Sequence, residues 1–547
     1  MTHAKGSVRS LRPDRPVGAR LATIVERSGA RFAAPEGSGS AESTAAAAAL
    51  RLTGVTLRAQ DVRPGDLFAA IPGSRVHGAI YAADAVAGGA LAVLTDPAGA
   101  ARLADLDVPL LVVENPRATL GAIATAIYGD PSRDLSVVGI TGTSGKTTTC
   151  YLLEAALAAD GSRTGLIGTV QTRIDGAVAP SALTTPEAPD LQALFAVMAE
   201  RGVDAVAMEV SSHALSLGRV SGTAFAVGAF TNLSQDHLDY HHDMEEYFRA
   251  KSLLFDGRAA RHVIDIDNPY GARLAADHPD ALTVSGAGDP TAAWSVAGVD
   301  ISPTGVQHVT LLGPAEPGAE RGQVTLDLAL PGAFNVSNAA MAMACIDALG
   351  RDVQQAADAL TGVVVPGRME RVDAGQDFMA VVDYAHKPAA LAAVLDAIRD
   401  GLAGRLIVAV GAGGDRDTGK RPLMGAEAAL RADLLIITDD NPRSEQPAEI
   451  RAQVLDGARA AGGAGEIREI GDRRAAIRAA VAAAATGDAV VIAGKGHELG
   501  QEIDGVVHPF SDREELMSAL IQRRSPASLL SVNDPSTAAG TATGSRP

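Results

Sequence analysis

Gly139-Ile140-Thr141-Gly142-Thr143-Ser144-Gly145-Lys146-Thr147-Thr148 decides the fold of this chain. It follows the apolar run Val137-Val138-Gly139-Ile140 and leads into a helical stretch, Thr147–Ala159, that Gly161 stops. Strand, glycine-bearing loop and helix in that order aim backbone N–H groups and the positive end of a helix at one point, which is a seat for phosphate. Lys146 is placed to reach the terminal phosphates of a nucleotide, and Thr147 to hold Mg²⁺. The strict motif has a glycine five residues before Gly145; here that position is Ile140 and the glycine stands at 142, so the loop is a compact variant. A glycine-rich turn with an incidental lysine is the competing reading, and the strand–loop–helix context disfavours it. Gly142, Thr143, Ser144, Gly145, Lys146, Thr147 and Thr148 are the candidate ATP-binding residues.

Outward from this loop the same pattern repeats. Apolar runs at Val203–Val210 and Ala226–Phe230 alternate with helical stretches, as expected of a parallel sheet covered on both faces. A third series opens after Pro366, with strands expected at Met379–Val382, Leu406–Val410, Leu434–Thr438 and Ala489–Ile492. Before the loop, 90–94 and 109–113 suggest a smaller α/β unit that ends near Glu114-Asn115-Pro116. The expectation is an α/β chain of three domains: 21–113, a central ATPase-type domain with a parallel sheet at 114–364, and a Rossmann-like domain at 365–526. Residues 1–20 and 527–547 are polar and read as mobile tails. The Ala-rich runs at 45–49 and 482–485 read as helix or low complexity.

Length and composition agree. A chain of 547 residues exceeds what one core can serve, and division by ~150 gives about three or four domains. A hydrophobic share of 47% and a charged share of 20% exclude global disorder, collagen and coiled coil. The net charge of −18 repels polyphosphate backbones, so no nucleic-acid partner is expected. The aromatic share of 3%, with Trp294 the one tryptophan, disfavours recognition of bases by stacking. Cys150 and Cys345 are the two cysteines, too few for a disulfide framework or a thiolate metal site, and a reducing cytoplasm is the expected location. No apolar stretch is long enough for membrane insertion.

A nucleotide site with Mg²⁺ needs a carboxylate on a neighbouring strand end. Glu209, in Met208-Glu209-Val210-Ser211-Ser212-His213, closes an apolar strand and suits that role. After the next strand comes Ser234-Gln235-Asp236-His237-Leu238-Asp239-Tyr240-His241-His242. This cluster is either a solvated loop or, through His237, a partner of Glu209 on a metal, and spacing alone does not decide. Lys251 reads by default as a surface lysine of a helix.

Taken together, Gly142–Thr147, Glu209-Val210-Ser211-Ser212-His213, Asp236-His237-Leu238-Asp239 and Phe334-Asn335-Val336-Ser337-Asn338-Ala339 resemble the motifs of the Mur ligase family over residues 21–525. These are ATP-dependent amino-acid ligases of the cytoplasm that build the peptidoglycan stem peptide. Within the family, Thr184-Thr185-Pro186-Glu187, Asp383-Tyr384-Ala385-His386-Lys387-Pro388, Gly413-Gly414-Asp415-Arg416-Asp417 and Gly494-Lys495-Gly496-His497-Glu498 are similar to the member that adds the third residue. Asp440-Asn441-Pro442-Arg443 resembles the signature of members that add meso-diaminopimelate. A planar guanidinium pair, Arg416 and Arg443, suits the distal carboxylate of that amino acid, and Glu498 its ammonium.

The resemblance implies further roles. Lys251 matches a lysine that CO₂ converts to a carbamate, a new carboxylate that helps to hold a second Mg²⁺. The implied metal ligands are then Thr147, Glu209, His237 and Lys251 as carbamate, and the implied catalytic residues Lys146, Glu209, His237 and Lys251. Asn335 and Asn338 are implied to meet adenine, while Arg368, Asp383 and His386 approach the nucleotide. Leu57, Thr184, Thr185, Ser211 and Arg219 are implied for the UDP-muramoyl-dipeptide, and Arg416, Asp440, Asn441, Pro442, Arg443, Gly494 and Glu498 for diaminopimelate. The implied reaction forms an acyl phosphate on the γ-carboxylate of UDP-N-acetylmuramoyl-L-alanyl-D-glutamate, which the amino acid then attacks. The expected partners are these small molecules, and a monomer is expected. Two positions depart from the pattern: Ala59 replaces a serine and Leu217 a glutamine. Each removes one neutral hydrogen bond, about 0.5–1.5 kcal/mol. The alternatives are the same reaction with L-lysine, a folylpolyglutamate synthase, or a nucleotide-binding module without ligase activity.

Overall fold

Apolar strands that end in polar residues organise the chain into three main sheets. The computed structural model describes residues 11–33, 41–73, 76–179, 183–238, 240–302, 306–314, 321–463 and 465–524. Two compact units result, Met1–Val364 and Val365–Pro547.

The first unit holds two of these main sheets. The smaller has five strands, β1 (Arg31–Ala33), β2 (Gly54–Thr56), β3 (Asp66–Ala69), β4 (Ala92–Thr95) and β5 (Leu110–Val112), in the order β1-β5-β4-β3-β2. β2 to β5 pair in parallel and β1 runs antiparallel to β5. The expected N-terminal tail is corrected for 11–20. Arg12, 5% exposed, forms an ion pair with Asp66 at 3.3 Å and donates to the Tyr128 hydroxyl at 2.6 Å, so burial of a paired charge holds this segment down. The C-terminal tail, 527–547, lies outside the described residues.

The larger sheet has eleven strands: β6 (Ser136–Thr141), β7 (Thr164–Ile167), β8 (Thr172–Ile174), β9 (Ala177–Ala179), β10 (Ala205–Glu209), β11 (Phe225–Phe230), β12 (Ala259–Asp265), β13 (Leu282–Ser285), β14 (Trp294–Ile301), β15 (Gln307–Leu312) and β16 (Gln323–Leu328). Their order is β9-β8-β7-β10-β6-β11-β12-β13-β14-β15-β16. From β7 through β14 all neighbours are parallel, and these strands are short, buried apolar runs around β6. Both margins are antiparallel instead of the all-parallel sheet expected. The reason is visible in β14, whose outer half, Ala297–Ile301, is exposed and so carries no continuous apolar signal.

The helix after the loop, α1 (Lys146–Ala158), is buried on almost all sides and packs against the helix that carries the two asparagines. The chain then supplies α2 (Ser212–Ser216), α3 (Met244–Ser252) and that asparagine helix, α4 (Ala333–Ala348). The main sheet of the second unit has six strands, β17 (Glu370–Arg371), β18 (Met379–Asp383), β19 (Leu406–Val410), β20 (Leu434–Ile437), β21 (Glu466–Glu469) and β22 (Ala489–Ala493), ordered β17-β18-β22-β19-β20-β21. All pairs but β17–β18 are parallel. Helices α5 (Arg473–Ala483) and α6 (Asp512–Arg524) complete its core.

Candidate functional site

In the first unit the site forms where β6 ends. Gly142 (φ 148) and Gly145 (φ 87) shape the loop, and neither tolerates a side chain. A Cβ on Gly142 would lie 1.9 Å from the Thr231 hydroxyl, and one on Gly145 would lie 2.4 Å from Asn338 Oδ1. The loop is braced by the segment after β11: the Thr143 amide donates to the Asn232 carbonyl at 2.9 Å and the Ser144 amide to Asn232 Oδ1 at 2.9 Å. Those two amides therefore hold the loop's shape, and the phosphate seat falls to the start of α1. Gly145 contributes no side-chain cap to that helix, whose N-terminal end carries the positive pole of its dipole.

Lys146 Nζ donates to the carbonyls of Gly142 (2.9 Å) and Thr143 (3.1 Å). Lys251 Nζ donates to the same Gly142 carbonyl at 2.7 Å and lies 4.7 Å from the Tyr247 ring centroid. The surface reading of Lys251 is corrected: the residue is 1% exposed, because α3 turns it under the loop. Two ammonium groups thus converge on one oxygen at the mouth of a helix N-terminus. Such an arrangement is matched to a polyanion.

Below the loop the Thr147 hydroxyl donates to Glu209 Oε1 at 2.9 Å, and Glu209, 1% exposed, also accepts from the Thr169 amide (2.8 Å) and hydroxyl (3.1 Å). A buried hydroxyl and carboxylate together are hard oxygen donors and fit Mg²⁺, which takes few protein ligands and completes its shell with phosphates and water. Among the described residues no three His, Cys, Asp or Glu side chains form a metal cluster. His237 sits in a left-handed turn (φ 53), its Nε2 3.1 Å from Asp236 and its ring edge-on to His213 at 4.9 Å. Asp239 lies outside the described residues.

The dipeptide candidates gather beside Glu209. Thr184 shares a hydrogen bond with Thr169 at 3.0 Å, and the Thr185 hydroxyl donates to the Glu209 carbonyl at 2.9 Å and accepts from the Ser211 amide at 3.2 Å. Ser211 caps α2 through the Ala214 amide. Arg219 donates to the Thr185 carbonyl at 3.4 Å and lies 2.9 Å from Glu187, which Arg117 also meets at 2.8 Å. Leu57 is half-buried against the core of the smaller sheet. Thr169, Glu187, Asn232 and Tyr247 were not singled out in the sequence; their signal is a position just past a strand end or inside a quoted motif. On α4, Asn335 and Asn338 are buried and hydrogen-bonded to each other at 3.2 Å, and Asn338 also accepts from Thr149 at 3.3 Å.

In the second unit two clusters form at strand ends. Asp383, buried at the end of β18, accepts from the amides of Met369 and Ala385, each at 2.7 Å. Burial raises its carboxyl above the usual range against the pull of Arg368. Arg368 lies over the Tyr384 ring at 4.3 Å, and its Nε is buried without a hydrogen-bond partner, as is His497 Nδ1. Burial, helped by the cations of Lys387 and Lys420, lowers His386 to about 3. Burial beside Arg368 lowers His497 to about 4. Neutral imidazoles, an orphaned guanidinium N–H and nearby lysines fit a phosphate-bearing ligand.

The other cluster lies past β19, β20 and β22. Gly414 donates to the Asn441 carbonyl at 2.9 Å, and a Cβ on it would lie 2.0 Å from the Pro442 carbonyl, so the loop leading to Arg416 abuts the Asp440–Arg443 segment. Asp415 accepts from Ser444 (2.7 Å), and buried Arg421 clamps Glu445 bidentately (2.8 and 2.9 Å). Arg443 (φ 52) donates to the Gly414 carbonyl at 2.5 Å and lies 3.5 Å from Glu502; Arg416 is exposed. Gly494 (φ 117) would carry a Cβ 2.6 Å from Asp440 Oδ2. Glu498 accepts from Asn441 at 2.8 Å and from Lys495 at 2.9 Å. Lys495, fully buried, was quoted in the sequence without a role.

A glycine loop opening a buried helix, a hydroxyl–carboxylate pair beneath it and a second α/β unit rich in strand-end polar residues define a multidomain P-loop-type nucleotide enzyme. Comparison with known proteins makes this specific. Residues 51–128 match the Mur ligase family catalytic domain, 140–346 the Mur ligase middle domain and 367–496 the Mur ligase glutamate ligase domain. A protein of Corynebacterium efficiens named UDP-N-acetylmuramoyl-L-alanyl-D-glutamate--2,6-diaminopimelate ligase is 55% identical over 83% of this chain and 87% of its own length. A protein of the same name from Streptomyces coelicolor is 50% identical over 93% of this chain and 98% of its own length. A solved structure of a ligase with that name is 32% identical, with a TM-score of 0.61 over 87% of this chain and 96% of that one. The chain belongs to the Mur ligase family, and its three-domain α/β fold is that of the family.

Proposed function

We propose that the protein is the ATP-dependent ligase that joins meso-diaminopimelate to the D-glutamyl γ-carboxylate of UDP-N-acetylmuramoyl-L-alanyl-D-glutamate, releasing ADP and phosphate. The name shared by relatives up to 55% identical supports this reading. One observation carries it in the chain itself: the loop leading to Arg416, the Asp440–Arg443 segment and Glu498 abut in one cluster of the second unit. Guanidinium groups and a carboxylate in one cluster suit an amino acid whose side chain ends in a second ammonium–carboxylate pair. L-Lysine lacks the distal carboxylate and would forgo its charge-assisted hydrogen bonds with the arginines, about 1.5–3 kcal/mol each.

The reaction begins with attack of the substrate γ-carboxylate on the γ-phosphorus of ATP, giving an acyl phosphate and ADP. Lys146 and the first-turn amides of α1 stabilise charge on the equatorial oxygens of the phosphoryl group, the main contribution in such transfers. Thr147 and Glu209 would hold Mg²⁺, which when bound neutralises phosphate charge. Thr184, Thr185, Ser211 and Arg219 orient the muramoyl-dipeptide, with Leu57 on the uridine side. Asn335, Asn338, Arg368, Asp383 and His386 serve the nucleotide. The amine of diaminopimelate then attacks the acyl carbon, and the tetrahedral intermediate collapses with loss of phosphate. Carbamylated Lys251 would replace a cation at the Gly142 carbonyl with a carboxylate, adding a hard oxygen ligand for a second Mg²⁺; His237 would complete the set. The reading places the protein in cytoplasmic synthesis of a peptidoglycan precursor; no helix among the described residues is long and apolar enough to cross a membrane.

The test is phosphate release by purified protein. It should require ATP, the muramoyl-dipeptide and diaminopimelate together, and nucleotide turnover at the same rate without them would overturn the reading.

A further inference from the structure

Three buried or nearly buried cations brace the strand ends of the second unit, and two of them have carboxylates of their own. Arg473, fully buried, is clamped by Asp512 through two hydrogen bonds of 2.7 Å and reaches the carbonyls of Ala493 and Asp439. Arg421 is clamped by Glu445 in the same way. Lys495 differs. Its ammonium, with the side chain fully buried, lies 2.9 Å from Glu498 Oε2, 2.9 Å from Asn441 Oδ1 and 3.9 Å from Asp440 Oδ1. Its partners are the residues assigned above to the amino-acid substrate.

Counting charge makes the consequence plain. Around Lys495, Asp440 past β20 and Glu498 past β22 bring two negative charges, and Lys495 cancels one. The surplus of one negative charge matches one substrate ammonium. Further hydrogen bonds fix the geometry: Asn441 donates to the Glu498 oxygen that Lys495 holds, and Asn441 Oδ1 also accepts from the Glu502 amide at 2.9 Å. One carboxylate oxygen of Glu498 is thereby tied inward while its side chain remains 33% exposed. Held this way, the group loses little further freedom on binding.

We infer that Lys495 is a positioning residue of the amino-acid site: its buried ammonium orients Glu498 and Asn441 and leaves the site one negative charge for an ammonium of the incoming diamino acid. This rests on the ligase reading above and adds a residue that sets affinity for the amino acid without touching it. Lys495→Met removes the charge and keeps most of the volume. It should leave two uncompensated carboxylates and a loosened Glu498.

The experiment measures steady-state KM for each of the three substrates, together with thermal melting, in the full-length protein, Lys495→Met, Glu498→Gln and the double variant. The prediction for Lys495→Met is a rise of about tenfold or more in KM for the amino acid. The KM for ATP and for the muramoyl-dipeptide should move by about twofold at most, well below that change. The two substitutions should be strongly non-additive in amino-acid KM, because Lys495 acts through Glu498. If Lys495→Met does not fold, Lys495→Gln keeps a donor toward Glu498 without the charge and carries the same test. An amino-acid KM unchanged in the soluble variant, a parallel rise in all three KM values with a lowered melting temperature, or additivity with Glu498→Gln would overturn the inference. The unmodified protein separates the two levels. If it prefers L-lysine, the specificity reading fails and Lys495 is tested on L-lysine KM; if it uses no amino acid, both fall.

Discussion

At the residue scale the decisive groups are two lysines on one carbonyl. Lys146 and Lys251 both donate to Gly142; Lys146 was legible from the fixed spacing of its loop, and Lys251 only through the family resemblance. Lys251 reads as an ordinary helix lysine until the fold buries it beside Tyr247 and the phosphate loop; burial of that kind depends on contacts more than a hundred residues apart and leaves no local mark. A buried lysine normally needs a compensating partner. If carbamylation supplies a catalytic carboxylate, Lys251→Ala should lose activity by roughly two to three orders of magnitude, the range for a deleted transition-state contact. Short carboxylic acids added to that variant should restore part of the activity. A fully active alanine variant would return Lys251 to a structural role. Gly145→Ala tests the loop more simply: a methyl group 2.4 Å from Asn338 Oδ1 should force α1 or α4 to shift. ATP affinity should fall at least tenfold, about 1.4 kcal/mol, and unchanged nucleotide binding would contradict the geometry.

At the scale of elements, the central strands were legible because they are continuous apolar runs, while the antiparallel margins were not. β14, β15 and β16 alternate or expose their residues, a pattern that a solvated loop also gives. The bracing of the phosphate loop by Asn232 was equally hidden, since it joins two strand ends that only the sheet order makes neighbours. The end of β18 carries its own prediction. His386 and His497 are lowered to about 3 and about 4, so each is neutral in the folded unit and takes up a proton more readily when unfolded. Their contribution to stability is complete above about 6.5, the unfolded value, and is lost as pH falls toward their folded values. Asp383, raised by burial, acts in the opposite sense, its contribution growing as pH falls. The melting temperature should therefore fall between about pH 7.5 and about pH 5, and fall less in the variant carrying His386→Gln and His497→Gln. An equal loss in that variant would show that other groups govern acid sensitivity.

At the scale of the whole molecule, a net charge of −18 must coexist with binding of ATP and a UDP-sugar peptide, both anionic, and of a zwitterionic diamino acid with two carboxylates. The proposed reading meets this with local cations: Lys146, Lys251 and Arg219 in the first unit, and Arg368, Arg416 and Arg443 in the second. Increasing salt should therefore weaken substrate binding only modestly, because these are short-range contacts within clefts and not a screened surface field. A steep loss of affinity across the same salt range would contradict that view. The family and the second-unit residues read as the amino-acid site were legible from motifs, while the joining of Lys495 to those residues needed the structure. The central claim is the identity of the amino acid. The direct measurement is ligation by purified protein, with ATP and UDP-N-acetylmuramoyl-L-alanyl-D-glutamate, across a panel of amino acids that includes meso-diaminopimelate and L-lysine, with the product identified by mass. The account predicts a product carrying meso-diaminopimelate, formed with one ADP and one phosphate released, and strong discrimination against L-lysine; preference for L-lysine, or ATP turnover without any ligated product, would contradict it.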